Sequence, residues 1–129
     1  IFKAVSTKKD MDDRFIEITD LFEKHLRGLS YSPLLAVIES AIYINNLKST
    51  VSITQVIAGA KLGLAKHNVD CYPIDNRVWK KYVLGSGKAS KEQIMKFARQ
   101  KWGEAITEQD WADAACVAAW GVQRFGSNE

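Results

Sequence analysis

Two short β-prone segments stand on either side of a long segment whose apolar residues recur at helical spacing, and this order limits the folds open to the chain. The first β-prone segment, "LLAVIES", follows Pro33 and begins with a continuous apolar run typical of a strand covered on both faces. The second, "VDCYPI", covers residues 69–74, and the helical spacing between them covers residues 49–67. Because strands that alternate with helices form layered sheets, the order predicts a three-layer α/β fold.

Spacing and end signals predict further helices. They cover residues 10–27, 76–84 and 91–102, with a final helix in the C-terminal segment. Ser90 and Gln93 form a capping box at the start of the third of these, and Thr107 with Asp110 forms a looser box that opens the final helix. The opening letters "IFKAVS" favour a strand over residues 1–6.

Composition limits the class of protein. The 129 residues fit a single domain over residues 1–129, and 47% apolar with 26% charged residues is ordinary for a globular protein. No apolar run of about eighteen residues and no basic-then-apolar leader occurs, so neither a membrane span nor a secretory signal is expected. Cys71 and Cys116 have no CxxC or Cys/His spacing. This argues against a zinc site and a disulfide scaffold, and it favours a reducing, cytoplasmic compartment.

Charge is unevenly distributed although the net charge is only +3. Residues 77–101, called here the basic segment, hold eight basic residues against the single acid Glu92. Residues 104–113 hold four acids and no base. A basic surface beside an acidic pocket is what a metalloenzyme acting on a polyanion needs, while solvated helix faces are an equally open interpretation.

Three carboxylates are candidate metal ligands. Glu39 falls near the end of the first β-prone segment, where α/β folds place functional sites, although an earlier strand end would leave it facing water. Asp110 and Asp113 share a face of the final helix, which is otherwise almost entirely apolar and small. The helix dipole accounts for Asp110 but poorly for Asp113, so we expect a partly buried pair able to clamp a divalent ion. Oxygen ligands without His or Cys favour magnesium or manganese.

The glycine-rich loop "GSGKAS" is a candidate phosphate contact. It fails the Walker pattern because Ala89 follows Gly87-Lys88, which argues against a nucleotide-binding P-loop. Contacts to a nucleic-acid backbone fit better, since Lys88 and Lys91 flank a helix start with Lys80 and Lys81 nearby.

Small and aromatic residues predict packing. Gly59 and Gly63 lie one helical turn apart and would let another backbone approach closely. The aromatic residues of the C-terminal half are expected in the core: Trp79, Tyr82, Phe97, Trp102, Trp111 and Trp120. Tyr43 is instead a candidate for stacking on a base, because it follows Glu39 by four residues in a loop.

Four segments together resemble the RuvC family of Holliday junction resolvases: "LLAVIES", "STVSITQVIAGAKLGLAKHNV", "CYPIDNRVWKKYVLGSGKASKEQI" and "DWADAACVAAW". The resemblance implies an RNase H-like fold with a mixed central sheet flanked by helices, a homodimer, and magnesium-dependent cleavage of branched DNA. Glu39 matches the family's second acid, and Asp110 and Asp113 match its last pair. These three would bind metal, with two Mg²⁺ or Mn²⁺ ions per site.

The resemblance also assigns basic and dimer residues. Lys80 or Lys81, together with Lys88, match residues that approach the scissile or neighbouring phosphates, and Lys88 is expected to act in catalysis. The helix with Gly59 and Gly63 matches one used near the family's dimer contact. The expected DNA contacts are Tyr43, Arg77, Lys80, Lys81, Lys88 and Lys91.

Two positions depart from the family pattern. The family's first acid lies in an opening Asp-x-Gly strand that has no match here, and the chain begins at Ile1 rather than at methionine. We therefore expect a preceding β-hairpin that supplies this acid. The aromatic residue three positions after the second acid is replaced by Ile42, and Tyr43 is expected to take its DNA-wedging role.

The expected function is metal-dependent resolution of four-way DNA junctions in the cytoplasm, by a bacterial or a phage-encoded protein. A broader nuclease for flaps and other branched DNA is one alternative, and a non-catalytic junction-binding protein is another.

Overall fold

The chain forms five helices and two strands in the part that the structure describes. The computed structural model describes residues 11–31, 33, 35–40 and 47–126. The elements are α1 (Met11–Arg27), β1 (Leu35–Glu39), α2 (Leu47–Ala65), β2 (Asp70–Ile74), α3 (Asn76–Leu84), α4 (Lys91–Trp102) and α5 (Gln109–Phe125). This order confirms the predicted α/β class, whereas the strand predicted over residues 1–6 lies outside the described residues. Among the helices described, none is long and apolar enough to cross a membrane.

The chain divides into two compact units, residues 1–73 and residues 74–129. The prediction of a single domain over residues 1–129 stays a prediction.

In the first unit, α1 and α2 pack at close backbone distance. A Cβ atom added at Gly63 would lie 2.9 Å from Phe22 Cβ and 3.0 Å from the Thr19 carbonyl oxygen. The buried Thr19 hydroxyl donates to the Gly59 carbonyl oxygen, with an Oγ1–O distance of 3.2 Å. The close approach predicted for the two glycines is therefore confirmed, and the neighbouring backbone is α1 of the same chain.

The two strands pair in a two-stranded sheet. β1 ends at Glu39, as its sequence position predicted, and all five of its side chains are half-buried. The expectation of a strand fully covered on both faces was wrong for the described sheet. In β2, most residues are exposed, and its last residue, Ile74, is buried.

In the second unit, α3, α4 and α5 pack around Trp79, Ile94 and Cys116, which are almost completely buried. Local signals set the ends of α3 and α4. Gly85 ends α3 with a left-handed φ of 79°, and the predicted Ser90–Gln93 capping box opens α4.

Two aromatic residues expected in the core are instead exposed. Tyr82 is 50% exposed and Trp102 is 39% exposed, whereas Trp79 and Trp120 are buried as predicted. A short amphipathic helix buries one face only, and in α3 that face is occupied by Trp79.

Candidate metal and nucleic-acid site

The acidic part of the candidate site lies in the first two turns of α5. The helix begins at Gln109, and its N-cap is Glu108, whose side chain makes no capping hydrogen bond. The predicted Thr107–Asp110 capping box is therefore wrong. Asp110 lies in the first turn, where the helix dipole favours a negative charge, and Asp113 follows three residues later on the same face.

The two carboxylates have different surroundings. Asp110 is exposed, and it has no hydrogen-bond or ion-pair partner among the described residues. Asp113 is half-buried and accepts a hydrogen bond from Gln109 Nε2 at 2.8 Å. The expectation of a partly buried pair holds for Asp113 and was wrong for Asp110, because the start of α5 leaves its first turn open to solvent.

The thiol next to the pair is a poor ligand. Cys116 lies three residues after Asp113 and is completely buried. Burial raises the pKa of the Cys116 thiol to about 11, and the Asp113 charge adds to the increase. The thiol is therefore neutral near pH 7, which leaves the site with carboxylate oxygens as its charged ligands. Hard oxygen ligands fit magnesium or manganese rather than zinc.

The pair supplies only part of a ligand set. Within the described residues, no group of three or more His, Cys, Asp and Glu side chains could hold a metal ion. Glu39 is half-buried at the end of β1 in the first unit. Its role as a third metal ligand stays a prediction.

Two members of the basic segment already have partners. Arg77 forms a two-point ion pair with Asp75, with Nη2–Oδ2 at 2.8 Å and Nε–Oδ1 at 3.1 Å. The Lys80 Nζ lies 5.6 Å from the Trp79 ring centroid, which is a cation–π contact. These partners fix both cations in place, and the Asp75 charge partly offsets that of Arg77.

The remaining predicted DNA contacts of the second unit are open to solvent. Lys81, Lys88 and Lys91 are exposed and have no ion-pair partner among the residues that the structure describes. The Lys88 backbone N–H donates to Ser86 Oγ at 3.2 Å, which orders the loop that presents its side chain. Tyr43 and Ile42 lie outside the described residues.

Sequence reasoning missed two positioning residues. Gln109 lies four residues before Asp113, a spacing that predicts an amide–carboxylate contact on a helix. Asp75 precedes α3 as its N-cap and accepts the Arg77 backbone N–H at 2.8 Å. An Asp directly before a predicted helix is the signal that could have identified it.

A family model described as "Crossover junction endodeoxyribonuclease RuvC" matches residues 3–120. A protein of that name from Rickettsia bellii is 32% identical over 120 residues, covering 88% of this chain and 72% of the relative. Another from Dehalococcoides mccartyi is 37% identical over 90 residues, covering 68% of this chain and 54% of the relative. The chain spans about half the length of the first curated relatives it matches, 55% and 54%.

Solved structures show the same fold. The Thermus thermophilus RuvC structure matches with a TM-score of 0.76 at 18% identity, covering 95% of this chain and 75% of that one. The structure of T. thermophilus RuvC in complex with Holliday junction substrate matches with a TM-score of 0.75, covering 88% and 69%. The likeness confirms the predicted RNase H-like α/β fold.

Proposed function

The chain belongs to the RuvC family of crossover junction endodeoxyribonucleases, and on this premise we propose that it hydrolyses phosphodiesters in four-way DNA junctions. The observation that supports this most directly is the Asp110–Asp113 pair on one face at the start of α5, with Asp110 free to bind a ligand. The proposed place of action is the cytoplasm of a bacterial cell, whether the protein is cellular or phage-encoded.

Nucleases of this family are metal-dependent. We propose that Asp110 and Asp113 bind a divalent ion with Glu39 as a further ligand, that the ion is Mg²⁺ or Mn²⁺, and that each site takes two. When bound, such ions stabilise the attacking and leaving oxygens of phosphodiester hydrolysis. The Gln109 amide holds one Asp113 oxygen, so the carboxylate is oriented before a metal arrives.

Exposed lysines of the basic segment are proposed to hold the DNA backbone. Lys81, Lys88 and Lys91 offer ammonium groups that have no ion-pair partner among the described residues, and Lys88 in the ordered loop is proposed to position the scissile phosphate. Arg77 and Lys80 are proposed as further contacts, restrained by Asp75 and Trp79. Tyr43 is proposed to wedge into the junction.

The exposed face of α2 supports a homodimer. Five exposed residues recur every three or four positions along it: Leu47, Val51, Thr54, Ala58 and Leu62. The opposite face, with Gly59 and Gly63, already packs on α1. The stripe is apolar apart from Thr54, whose hydroxyl donates to the Thr50 carbonyl oxygen, and a second largely apolar face of a helix offers a surface for a second partner. We propose that this stripe pairs with its copy in a second chain, which would supply two active sites for the two strands to be cut.

A non-catalytic junction-binding protein is the second candidate function. It is favoured by one observation, that no group of three or more His, Cys, Asp and Glu side chains among the described residues could hold a metal ion. The two candidates differ in whether bound junctions are cut.

Cleavage of labelled four-way junctions with Mg²⁺ tests the proposal. We expect the wild-type chain to cut junctions, and Asp113→Asn to lose on the order of a hundred-fold or more in rate while junction binding, measured with Ca²⁺ in place of Mg²⁺, is unchanged. Glu108→Gln, a neighbouring acid without a side-chain capping bond, is the matched control and should cut normally.

Other outcomes of this assay would favour a different candidate function. Binding of junctions by the wild-type chain without any cleavage would support the non-catalytic candidate. Equal cleavage of flaps and junctions would support a broader branched-DNA nuclease. Normal cleavage by Asp113→Asn would contradict the proposed site.

A further inference from the structure

A groove between α3 and α5 shares Arg77 and Lys81 with the proposed DNA contacts, while its apolar lining has no role in the site described above. It is lined by Arg77, Val78, Lys81, Tyr82 and Trp120, all within the second unit, and its open volume is about 810 Å³. Pockets of this size hold small molecules or single nucleotides. Val78 and Tyr82 are about half-exposed, so apolar surface in the groove faces water.

Part of the groove's lining is a buried side chain packed against a second aromatic ring. Trp120 is only 8% exposed, and its ring meets Phe125 edge-on at a centroid distance of 5.9 Å. Trp120 therefore forms a rigid part of the lining, while Tyr82 on α3 offers a half-exposed aromatic ring.

The rim of the groove is cationic. Arg77 and Lys81 lie four residues apart on α3, which separates them by about 6 Å along the helix axis. Among the described residues, no acidic side chain lines the groove itself, and the nearest acid named at its rim is Asp75, the ion-pair partner of Arg77. The Asp75 ion pair offsets part of the Arg77 charge, so Lys81 is the cation of the rim without an ion-pair partner among the described residues.

We propose that this groove binds an unpaired nucleotide of single-stranded DNA, with the base against Tyr82 and Val78 and the phosphates at Arg77 and Lys81. The proposal rests on the proposed nucleic-acid function and adds a subsite to it. Aromatic rings beside cations are the usual means of binding single strands without sequence preference, because every base has a flat face. A flap offers unpaired nucleotides along its free strand, and a four-way junction offers them only where base pairs at its branch point open.

An acidic peptide with apolar anchors has the same local chemistry, but the surroundings favour the nucleic acid. The groove lies on the basic segment, where eight basic residues stand against one acid. Four of the five residues that line the groove belong to this segment, and its exposed cations suit a polymer with a charge at every phosphate. A short acidic peptide would use only the rim.

Binding of a fluorescein-labelled oligothymidylate of about ten nucleotides, measured by anisotropy at low salt, tests the groove. We expect Tyr82→Ala to weaken binding on the order of ten-fold, and Tyr82→Phe to bind as the wild type does, because the ring and not the hydroxyl stacks. Trp102→Ala removes another exposed aromatic ring from the same unit and is the matched control, with unchanged affinity expected.

A second variant tests the rim. Lys81→Gln should flatten the dependence of oligothymidylate affinity on salt, since one phosphate contact is lost. Because Tyr82 and Lys81 are both exposed, circular dichroism spectra of these variants should match that of the wild type.

These experiments test the groove and the nuclease proposal independently. Cleavage of fully paired junctions should be unchanged in Tyr82→Ala. If the wild type cuts no junction but oligothymidylate binding still depends on Tyr82, the groove stands and the nuclease proposal fails. The proposed nucleotide subsite would be contradicted if Tyr82→Ala and the wild type bound the oligonucleotide equally well, or if Trp102→Ala lost as much affinity. It would also be contradicted if the groove bound a Glu/Leu peptide in place of the oligonucleotide.

Discussion

At the scale of single residues, Asp75 combines two roles at the start of α3. Its carboxylate accepts the Arg77 backbone N–H at 2.8 Å as the N-cap of the helix, and it also forms an ion pair with the Arg77 guanidinium. One acidic residue therefore orients the helix that contributes Trp79 to the core and most of the groove's lining.

The pH dependence of stability should show this role. The Arg77 side-chain hydrogen bond, followed by the backbone hydrogen bond, lowers the pKa of Asp75 from 3.8 to about 2. Because the folded state binds the proton less tightly than the unfolded state, the contribution of Asp75 is fully present above about pH 4. It is lost as the pH falls through about 2. Between pH 6 and pH 2, the midpoint temperature of thermal unfolding should fall less in Asp75→Asn than in the wild type.

The control for this measurement is Asp70→Asn, an exposed acid for which no partner is found among the described residues. Its acid profile should match that of the wild type. Identical profiles for all three proteins would contradict the role given to Asp75.

The residues of the candidate site were predictable, but their surroundings were not. The positions of Asp110 and Asp113 follow from the sequence, since a three-residue spacing places two side chains on one helix face. The exposure of Asp110 depends on which residue begins α5, and the choice between Thr107 and Glu108 as N-cap is not set by capping preference alone.

At the scale of elements, α1 and α2 pack closely because two glycines of α2 have no side chain. Gly59 and Gly63 allow the α1 backbone to approach, with the Phe15 carbonyl oxygen 3.1 Å from a Cβ added at Gly59. A Glu23–Lys66 ion pair, with Oε1–Nζ at 3.1 Å, joins α1 to the residue that follows α2.

Gly63→Ala should therefore destabilise the chain although alanine is the better helix former. The added Cβ would lie 2.9 Å from Phe22 Cβ, closer than packed atoms tolerate. Overpacking costs about 1–3 kcal/mol, and the gain in helix propensity offsets about 1 kcal/mol, so we expect a net loss of up to about 2 kcal/mol in urea unfolding.

Lys61→Ala on the same helix is the control, because Lys61 is exposed and should change stability by less than about 0.5 kcal/mol. A Gly63→Ala chain as stable as wild type would show that the two helices are not packed this closely.

Element ends were predictable where the signals are local. Ser90 with Gln93 predicts the start of α4, and the bounds of α3 and α4 agree with the spacing of their apolar residues. Exposure of Tyr82 and Trp102 was not predictable, because it depends on which faces of short helices meet other elements.

At the scale of the whole molecule, the apolar stripe of α2 should control association. Leu47 is 73% exposed and Leu62 is 42% exposed in the single chain, and a charge placed in a buried dimer contact is costly. We expect wild type to elute as a dimer and Leu62→Glu as a monomer in size-exclusion chromatography with light scattering.

Val122→Glu on α5 is the matched control, since Val122 is 69% exposed and lies outside α2. It should remain dimeric. A monomeric wild type, or a dimer that Leu62→Glu leaves intact, would contradict the proposed contact.

We propose that Asp110 and Asp113 bind a divalent metal with Glu39 as a further ligand, and Mn²⁺ binding followed by electron paramagnetic resonance tests this most directly. We predict saturable binding by the wild type and at least ten-fold weaker binding in each of Glu39→Gln, Asp110→Asn and Asp113→Asn. Unchanged Mn²⁺ affinity in Glu39→Gln, beside a loss in the two aspartate variants, would contradict the shared site.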